Sequence, residues 1–326
     1  MNKGVSIILC TYNGKTRLDS TLRHLAAQQL SIPCEIIFVD NASSDGTKTF
    51  ADSWWKAHGQ SKMGYRSFEQ PIQGKSYAQD LGYEKAQYEY LLVCDDDNWL
   101  CNTYVQTAYE LMETHVEIGA LGGWCEAAFE TSKPDWFDRY ARYYAVAKQG
   151  QASGDITNKK GCLYGAGMML RKSHWLELKQ KGFVHLLTCR KGNSLSSGGD
   201  TEYSYALRLL GYKIWYDERL YFTHYMTSGR LHLEYLSRLR KAISESDFVL
   251  WAYLDLLKNT PRTQLDFFKQ ALKGMPLVFI KRFRLLLIGD YEQKEQGKFY
   301  FRNLGYLLFS HSSYSKHLKF IKAWLS

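Results

Sequence analysis

Short apolar runs alternate with longer amphipathic stretches through the first hundred residues of the chain. The apolar runs have the length and composition of buried strands, whereas the stretches between them repeat apolar residues at helical spacing. Strands are predicted at residues 5–10, 34–40, 63–69 and 90–94, and helices at residues 18–29, 47–58 and 74–86. Strands that alternate with helices at this spacing predict βαβ units and a mostly parallel sheet.

Polar residues follow three of the predicted strands at the point where each strand ends. Asn13 follows the first strand, Asp40 ends the second, and the triplet 95–97 (DDD) follows the fourth. Because ligands bind beyond the carboxyl ends of parallel strands, these residues predict a site. In an extended chain Asp95 and Asp97 share one face, and such hard oxygen ligands suit Mg²⁺ or Mn²⁺. The alternative is an acidic turn that caps the next helix.

The pattern becomes less regular after residue 100. A helix is predicted at residues 101–115, a strand at 118–123, a strand, turn and strand at 213–224, and a long helix at 231–258. A loop of small residues at 194–202 (SLSSGGDTE) brings Asp200 and Glu202 to the start of another helix.

Composition indicates one elaborated catalytic domain with an appendage, since 326 residues with 45% hydrophobic content suffice for a large core. The seven Cys are odd in number and form no C-x-x-C pair, which argues against a disulfide framework or a zinc site and favours a reducing compartment. The N-terminal apolar stretch is too short for a signal peptide, and no apolar window is long enough to cross a bilayer.

The net charge of +9 lies entirely in the C-terminal tail. Residues 258–326 contain thirteen Lys or Arg against four Asp or Glu. Basic residues there interleave with large apolar ones: on a helix, Phe279, Phe283 and Leu287 share a face while Lys281 and Arg284 lie elsewhere. Such helices are typical of an anionic membrane surface, and the interleaving argues against nucleic acid as the partner. The alternative is that the apolar stripe packs on the catalytic domain.

Six motifs in order resemble family 2 of the inverting, nucleotide-sugar-dependent glycosyltransferases. They are CTYNG, VDNASSDGT, GKSYAQDLG, VCDDDNW, GAGMMLR and GGDTE, and the resemblance covers residues 4–225. It implies an α/β fold of the GT-A type, with a mostly parallel doubly wound sheet, helices on both faces and a helical C-terminal extension. The predicted catalytic domain is 1–227, with a nucleotide-binding half (1–100) and an acceptor half (101–227), and the basic amphipathic tail is 228–326.

The resemblance also implies contacts to the nucleotide-sugar. Asp40 would accept a hydrogen bond from the uracil N3–H, since uracil offers a donor between two acceptors. Lys75 would neutralise diphosphate charge, and Asp95 would face the ribose. The full predicted set is Thr11, Asn13, Asp40, Gly74, Lys75, Asp95 and Asp96.

The catalytic, metal and acceptor roles follow from the same resemblance. Asp97 would ligate the Mg²⁺ or Mn²⁺ that bridges the diphosphate, with His224 as a further ligand. Asp200 would act as the general base, and a single carboxylate that deprotonates the attacking hydroxyl gives inversion in one displacement. The predicted acceptor-binding residues are Glu202, Gly165 and Trp124.

The leading hypothesis is transfer of a sugar from a UDP-sugar to a glycan or lipid-linked acceptor, at the cytoplasmic face of the cell membrane, in cell-surface polysaccharide synthesis. A metal-dependent nucleotidyltransferase is less favoured, because TYNGK stands where a Gly-rich phosphate loop would be expected. A non-catalytic scaffold of the same fold is the third hypothesis. Gln79 and Asp80 support it, since they replace a common Arg-Asn pair, and so does Gly199, which replaces an acid.

Overall fold

The computed structural model describes residues 2–187, 195, 197–288 and 291–326, with the backbone alone for residues 281–288, 291, 292 and 296. The strands are β1 (Asn2–Thr11), β2 (Cys34–Asp40), β3 (Met63–Glu69), β4 (Tyr88–Asp95), β5 (Asn98–Leu100), β6 (Ile118–Phe129), β7 (Gly154–Asp155), β8 (Met169–Arg171) and β9 (Lys213–Met226). The helices are α1 (Leu18–Ala26), α2 (Thr47–His58), α3 (Lys75–Lys85), α4 (Tyr104–Thr114), α5 (Phe137–Tyr140), α6 (Lys172–Gln180), α7 (Gly199–Leu209), α8 (Leu233–Leu257), α9 (Gln264–Ile288), α10 (Tyr291–Phe309) and α11 (His311–Leu325).

The strands form one mixed sheet in the order β3-β2-β1-β4-β8-β6-β9-β5, with β7 paired to β9. The four strands from β3 to β4 are parallel, β8 is antiparallel to both of its neighbours, and β6 and β9 are parallel to each other. The order reverses between β1 and β4. A crevice opens at such a reversal, beyond the carboxyl ends of the strands.

Both faces of the central sheet are covered by helices. On β1, Ile8 packs in the same cluster as Ala78 of α3, whereas Ile7 packs with Leu18 and Leu22 of α1. Successive side chains of a strand point to opposite faces, so one apolar run fills two layers. The predicted doubly wound architecture is therefore confirmed.

The apolar runs locate most elements well, but β9 differs from its prediction. The strand, turn and strand expected at 213–224 is a single strand that continues to Met226. Its pairing with β6 jumps from Gly122↔Tyr216 to Trp124↔Tyr221, so residues 217–220 form a bulge where the turn was expected. The three-residue strands β5 and β8 are too short to give a sequence pattern.

The C-terminal helices differ in what covers their apolar sides. Helix α11 packs on the catalytic core, where Tyr314 and Ile321 are buried and the Trp324 ring lies 5.4 Å from that of Phe183. The expectation of a membrane-facing helix is therefore wrong for α11, because its apolar side already has a partner. The predicted face through Phe283 and Leu287 falls on side chains outside the described residues.

Helix α9 exposes several large apolar side chains. Phe267 and Ala271 are buried, whereas Phe268 and Ile280 are 51% and 66% exposed. Across the described residues, the structure contains no helix with the length and apolar character needed to cross a membrane.

Candidate active site

A cavity of about 740 Å³ lies at the carboxyl ends of β1 and β4 and continues to α8. It joins residues of the predicted nucleotide half to residues of the predicted acceptor half. The predicted site residues that line it are Thr11, Gly74, Lys75, Asp95, Asp96, Asp97, Gly165, Asp200 and His224.

Asn98 shapes the acidic turn between β4 and β5. Its Oδ1 accepts the Asp95 N–H at 3.0 Å, and its Nδ2 donates to Asp97 Oδ1 at 3.0 Å. Asn98 also pairs with His224 across the β5–β9 ladder. One amide side chain therefore holds the turn and sets Asp97 beside His224.

The Asp95 carboxylate pairs with Lys75, the first residue of α3. Its two oxygens lie 2.6 and 2.8 Å from Lys75 Nζ. The loop before Lys75 is held by Asn41, whose Oδ1 accepts the Gly74 N–H at 2.8 Å and whose Nδ2 donates to the Ile72 carbonyl at 2.7 Å. Sequence reasoning missed Asn41, because its role depends on a loop about thirty residues away.

Asp96 points away from Asp95 and Asp97 and holds the loop after β1. The Thr11 hydroxyl donates to its Oδ2 at 2.5 Å, and Arg17 donates to both oxygens, at 2.7 and 3.3 Å. A Cβ at Gly14 would lie 2.3 Å from Asp96 Oδ2, so glycine is required there. The Asp96 carboxylate therefore binds Thr11 and Arg17 within the chain, and the nucleotide-sugar contacts of Thr11 and Asp96, which both line the cavity, stay predictions.

Asp97 is a buried carboxylate that contacts a guanidinium group and an imidazole ring. Arg230 Nη1 lies 2.9 Å from its Oδ2, and His224 Nε2 lies 3.4 Å from its Oδ1. Burial by itself would raise the pKa of Asp97, but Arg230 and His224 together hold that pKa well below its ordinary value. Asp97 is therefore ionised at neutral pH.

Asp97 and His224 are the predicted ligands of a divalent cation, and Arg230 Nη1 contacts both of them, 2.9 Å from Asp97 Oδ2 and 3.3 Å from His224 Nε2. Two neighbouring ligands of an octahedral Mg²⁺, each about 2.1 Å from the ion, lie about 3 Å apart. The separation of Asp97 Oδ1 and His224 Nε2 is close to that value. No group of three or more His, Cys, Asp or Glu side chains suited to a metal occurs among the described residues.

Asp40 and Asn13 lie beside the cavity without lining it. Asp40 Oδ2 accepts the Ser43 N–H at 3.0 Å, whereas Oδ1 is buried and has no hydrogen-bond partner within the described chain. Asn13 Oδ1 accepts the Ser44 N–H at 2.9 Å, so its side chain braces two loops, which corrects its predicted role as a ligand.

Asp200 is fixed in the first turn of α7 by two backbone N–H groups. Its Oδ2 accepts from Gly165 at 2.6 Å, and its Oδ1 accepts from Thr201 at 2.9 Å. The Lys160 ammonium, 3.6 Å from the centre of the Tyr164 ring, is within electrostatic reach of Asp200. Burial lowers the pKa of Lys160. The carboxylate therefore enters the cavity with a defined orientation and a nearby cation.

Gly165 is required for the position of Asp200. A Cβ at this residue would lie 3.2 Å from Asp200 Cβ and 3.4 Å from its Oδ2. We expect Gly165→Ala to displace the carboxylate and to lower turnover about tenfold, because small displacements of a catalytic group are costly. Steady-state kinetics check this, with Gly274→Ala as the control, since no atom lies within 4 Å of that Cβ. Equal turnover in both variants would contradict it.

Glu202 and Trp124 do not face an acceptor, which corrects two predictions. Glu202 is fully buried, accepts the Leu186 N–H at 2.9 Å and accepts the Tyr253 hydroxyl at 2.9 Å, so it ties α7 to α8. The Trp124 indole donates to the Glu218 carbonyl at 3.0 Å and packs outside the cavity.

The three residues that differ from the family motifs, Gln79, Asp80 and Gly199, lie in different surroundings. Gln79 lines the cavity, whereas Asp80 accepts from Trp175 Nε1 at 3.3 Å and lies 3.6 Å from Lys179 Nζ. Gly199 is buried at the start of α7. Two guanidinium groups that no motif predicted pair with the acidic turn. Arg17 pairs with Asp96, and Arg230 pairs with Asp97.

Comparison with known proteins gives consistent matches. A family model for glycosyl transferase family 2 matches residues 6–176. A cholesterol galactosyltransferase of Borreliella burgdorferi is 30% identical over 105 residues, which are 32% of this chain and 28% of that protein. The putative glycosyltransferase EpsH of Bacillus subtilis is 26% identical over 187 residues, which are 55% of this chain and 51% of that protein.

The match to these curated relatives thus spans about half of their length or less. Among solved structures, S. aureus TarS aligns with a TM-score of 0.50 and 16% identity, over 76% of this chain and 40% of that one. At this identity the likeness concerns the fold, which is of the GT-A type.

Proposed function

The chain belongs to glycosyltransferase family 2, and on that premise we propose that it transfers a sugar from a UDP-sugar to a hydroxyl of a glycan or lipid-linked acceptor, with inversion at the anomeric carbon. The observation that carries the proposal is the single cavity, which contains the Lys75–Asp95 pair, the Asp97 carboxylate and the Asp200 carboxylate. Membership of this family also sets the nucleotidyltransferase hypothesis aside.

Asp200 is the proposed general base. It takes the proton from the acceptor hydroxyl while that oxygen attacks the anomeric carbon and the bond to the UDP oxygen breaks. The two N–H groups that it accepts orient the carboxylate before the acceptor arrives. Such preorganisation lowers the barrier, because little reorientation remains for the reaction itself.

The cations of the donor half are proposed to bind the diphosphate. Lys75 and Arg230 both line the cavity beside the acidic turn. Mg²⁺ or Mn²⁺ held by Asp97 and His224 would supply further positive charge for the leaving diphosphate. The unpaired Asp40 Oδ1 is proposed to accept the uracil N3–H.

The donor preference can be tested with a panel of UDP-, GDP- and dTDP-sugars in the presence of Mn²⁺. We expect UDP-sugars to raise the thermal unfolding midpoint most, because a ligand that binds only the folded state stabilises it. We also expect slow release of UDP in the absence of an acceptor. Equal stabilisation by all three nucleotides would contradict the UDP assignment, and no stabilisation or release with any donor would contradict the proposed function.

We further propose that α9 binds the anionic inner face of the cell membrane, which would suit a role in cell-surface polysaccharide synthesis. The exposed apolar residues of this helix are Leu265, Phe268, Leu272, Leu277, Phe279 and Ile280. Exposed Lys269 and Lys273 lie among them. A helix with an apolar face and nearby lysines suits the headgroup region of anionic lipid.

Vesicle co-sedimentation tests the membrane proposal. We expect the protein to bind vesicles that contain phosphatidylglycerol more than neutral ones, and the paired change Phe268→Ser with Leu272→Ser to reduce binding at least fivefold. The control is Val116→Ser with Val184→Ser, which changes two apolar residues that are at least as exposed elsewhere on the surface. Equal loss in both variants, or self-association through α9 without vesicles, would contradict the proposal.

A further inference from the structure

The cavity continues beyond Asp200 to a wall formed by one face of α8. Gly198, two residues before Asp200, packs directly on this helix: a Cβ there would lie 3.4 Å from Ser246 Cβ and 3.7 Å from Leu250 Cδ1. The residues of α8 that line the cavity are Tyr235, Leu239, Ile243, Ser246, Asp247, Leu250, Trp251 and Leu254. Their spacing of three or four places them on one side of the helix. This wall lies outside the part of the chain that the family model matches.

One cavity links the wall to the base. Cys162, Asp200, Tyr205 and Asp247 all line it. A molecule that offers a hydroxyl to Asp200 would therefore extend toward Asp247.

The wall combines aromatic rings with one carboxylate. Tyr143, Tyr205, Tyr235 and Trp251 line the cavity together with Asp247. Aromatic side chains with a polar tip bind surfaces that are apolar on one side and polar on another, which describes a pyranose ring with its C–H face and its hydroxyl groups. A carboxylate accepts hydrogen bonds from such hydroxyls. A lipid tail would leave the carboxylate without a partner, which is costly.

Asp247 forms no ion pair or hydrogen bond within the described chain, although it is open to the cavity. Burial by the surrounding wall raises the pKa of Asp247 to about 6, so the carboxylate is mostly ionised at neutral pH. A phosphate or a sugar acid beside this carboxylate would be repelled. Neutral sugars and amino sugars carry no negative charge, so this carboxylate does not repel them.

We propose that the α8 wall is an acceptor subsite for a neutral saccharide, in which Asp247 accepts hydroxyl hydrogen bonds and Tyr235 and Trp251 pack against the sugar. The inference rests on the proposed glycosyl transfer and specifies its acceptor class. Asp247 is a specificity-determining residue here, since Asp200 performs the proton transfer.

Kinetics on matched variants test the subsite. The probes are neutral gluco-, galacto- and N-acetylglucosamine-based oligosaccharides, an oligogalacturonate and the apolar alcohol farnesol. We expect neutral oligosaccharides to stimulate UDP release, and Asp247→Asn to raise the acceptor KM about tenfold or more, since hydrogen bonds to charged groups are strong. The control is Glu245→Gln, an exposed carboxylate of the same helix outside the cavity.

The possible outcomes distinguish failure of the acceptor subsite from failure of the proposed glycosyl transfer. Stimulation by farnesol alone, stronger stimulation by the oligogalacturonate, or equal KM values for Asp247→Asn and the wild type would overturn the subsite and leave the transferase intact. Absence of donor binding and of UDP release with every nucleotide-sugar would overturn both. Saturation-transfer NMR with the neutral oligosaccharides adds a readout without turnover, in which Asp247→Asn should lose the signal and Glu245→Gln should keep it.

Discussion

Asp200→Asn is expected to lower sugar transfer by about 10²- to 10⁴-fold, the range that general-base catalysis contributes. Asparagine keeps the size of the side chain, and its Oδ1 can still accept one backbone N–H, but the amide cannot take a proton from the acceptor hydroxyl. Nucleotide-sugar affinity should stay within about twofold of the wild type, since Asp200 lies on the acceptor side of the cavity. Product formation and calorimetric binding of UDP measure the two effects separately.

The matched control for Asp200 is Asp266→Asn. Asp266 also lies in the first turn of a helix and also accepts a backbone N–H, from Thr263 at 2.9 Å, but it is outside the cavity. Any loss that comes from the charge at a helix N-terminus would appear in both variants. Transfer that survives Asp200→Asn within tenfold would show that another group is the base.

Asp97→Ala is expected to impair both folding and metal binding. Removal of this buried carboxylate leaves the half-buried Arg230 and the buried His224 without their partner, and breaking a buried ion pair costs up to about 3–5 kcal/mol of unfolding free energy. Arg230→Met in the Asp97→Asn background should recover part of the loss, because it removes the stranded charge. Urea denaturation of the single and double variants measures this coupling.

The same variants define the pH and metal dependence. Because the pKa of Asp97 is lowered by folding, its stabilisation is complete above the ordinary carboxyl range and is lost as pH falls below about 4. The difference in unfolding free energy between the wild type and Asp97→Asn should therefore shrink in acid. Calorimetry with Mn²⁺ and UDP should show at least tenfold weaker metal binding in Asp97→Asn. Unchanged Mn²⁺ affinity would contradict the ligand assignment.

The control for Asp97 is a carboxylate paired at the surface. Asp52 lies 2.9 Å from Lys48 Nζ, with both side chains about one-third exposed. Surface pairs contribute about 0–1 kcal/mol, so Asp52→Ala should cost much less than Asp97→Ala. Similar losses in the two variants would indicate that the Asp97–Arg230 pair does not differ from a surface pair.

The sequence predicts best those features that depend on residues close together in the chain. The burial of β1, β2 and β4 follows from their apolar runs, and the carboxyl ends of these strands meet because parallel strands align them. Asp95, which ends β4, lies at this edge of the sheet, where Lys75 at the start of α3 pairs with it. Asp200 was predicted through the motif resemblance, and its contact with Gly165 joins two motifs that are separate in the chain.

Long-range contacts limit what the sequence can predict. Arg230 follows Asp97 by more than a hundred residues, and neither residue carries a local signal of the other. Glu202 has the sequence environment of a surface carboxylate, but its partners are backbone groups near residue 186 and the hydroxyl of Tyr253. The wall of α8 escaped detection because apolar residues occur around this helix, so periodicity does not reveal which face borders a cavity.

The bulge at 217–220 has a consequence for how this chain tolerates length changes. Residues 221–226 are held by their own pairs with β6, and His224 by its pair with Asn98 of β5, independently of the residues before the bulge. A slip of one residue in that ladder would turn His224 to the opposite face of the sheet. Insertions and deletions within the bulge would leave the ladder in place, so we expect loop-length variation among related chains to concentrate there while the spacing from Tyr221 to Arg230 stays constant.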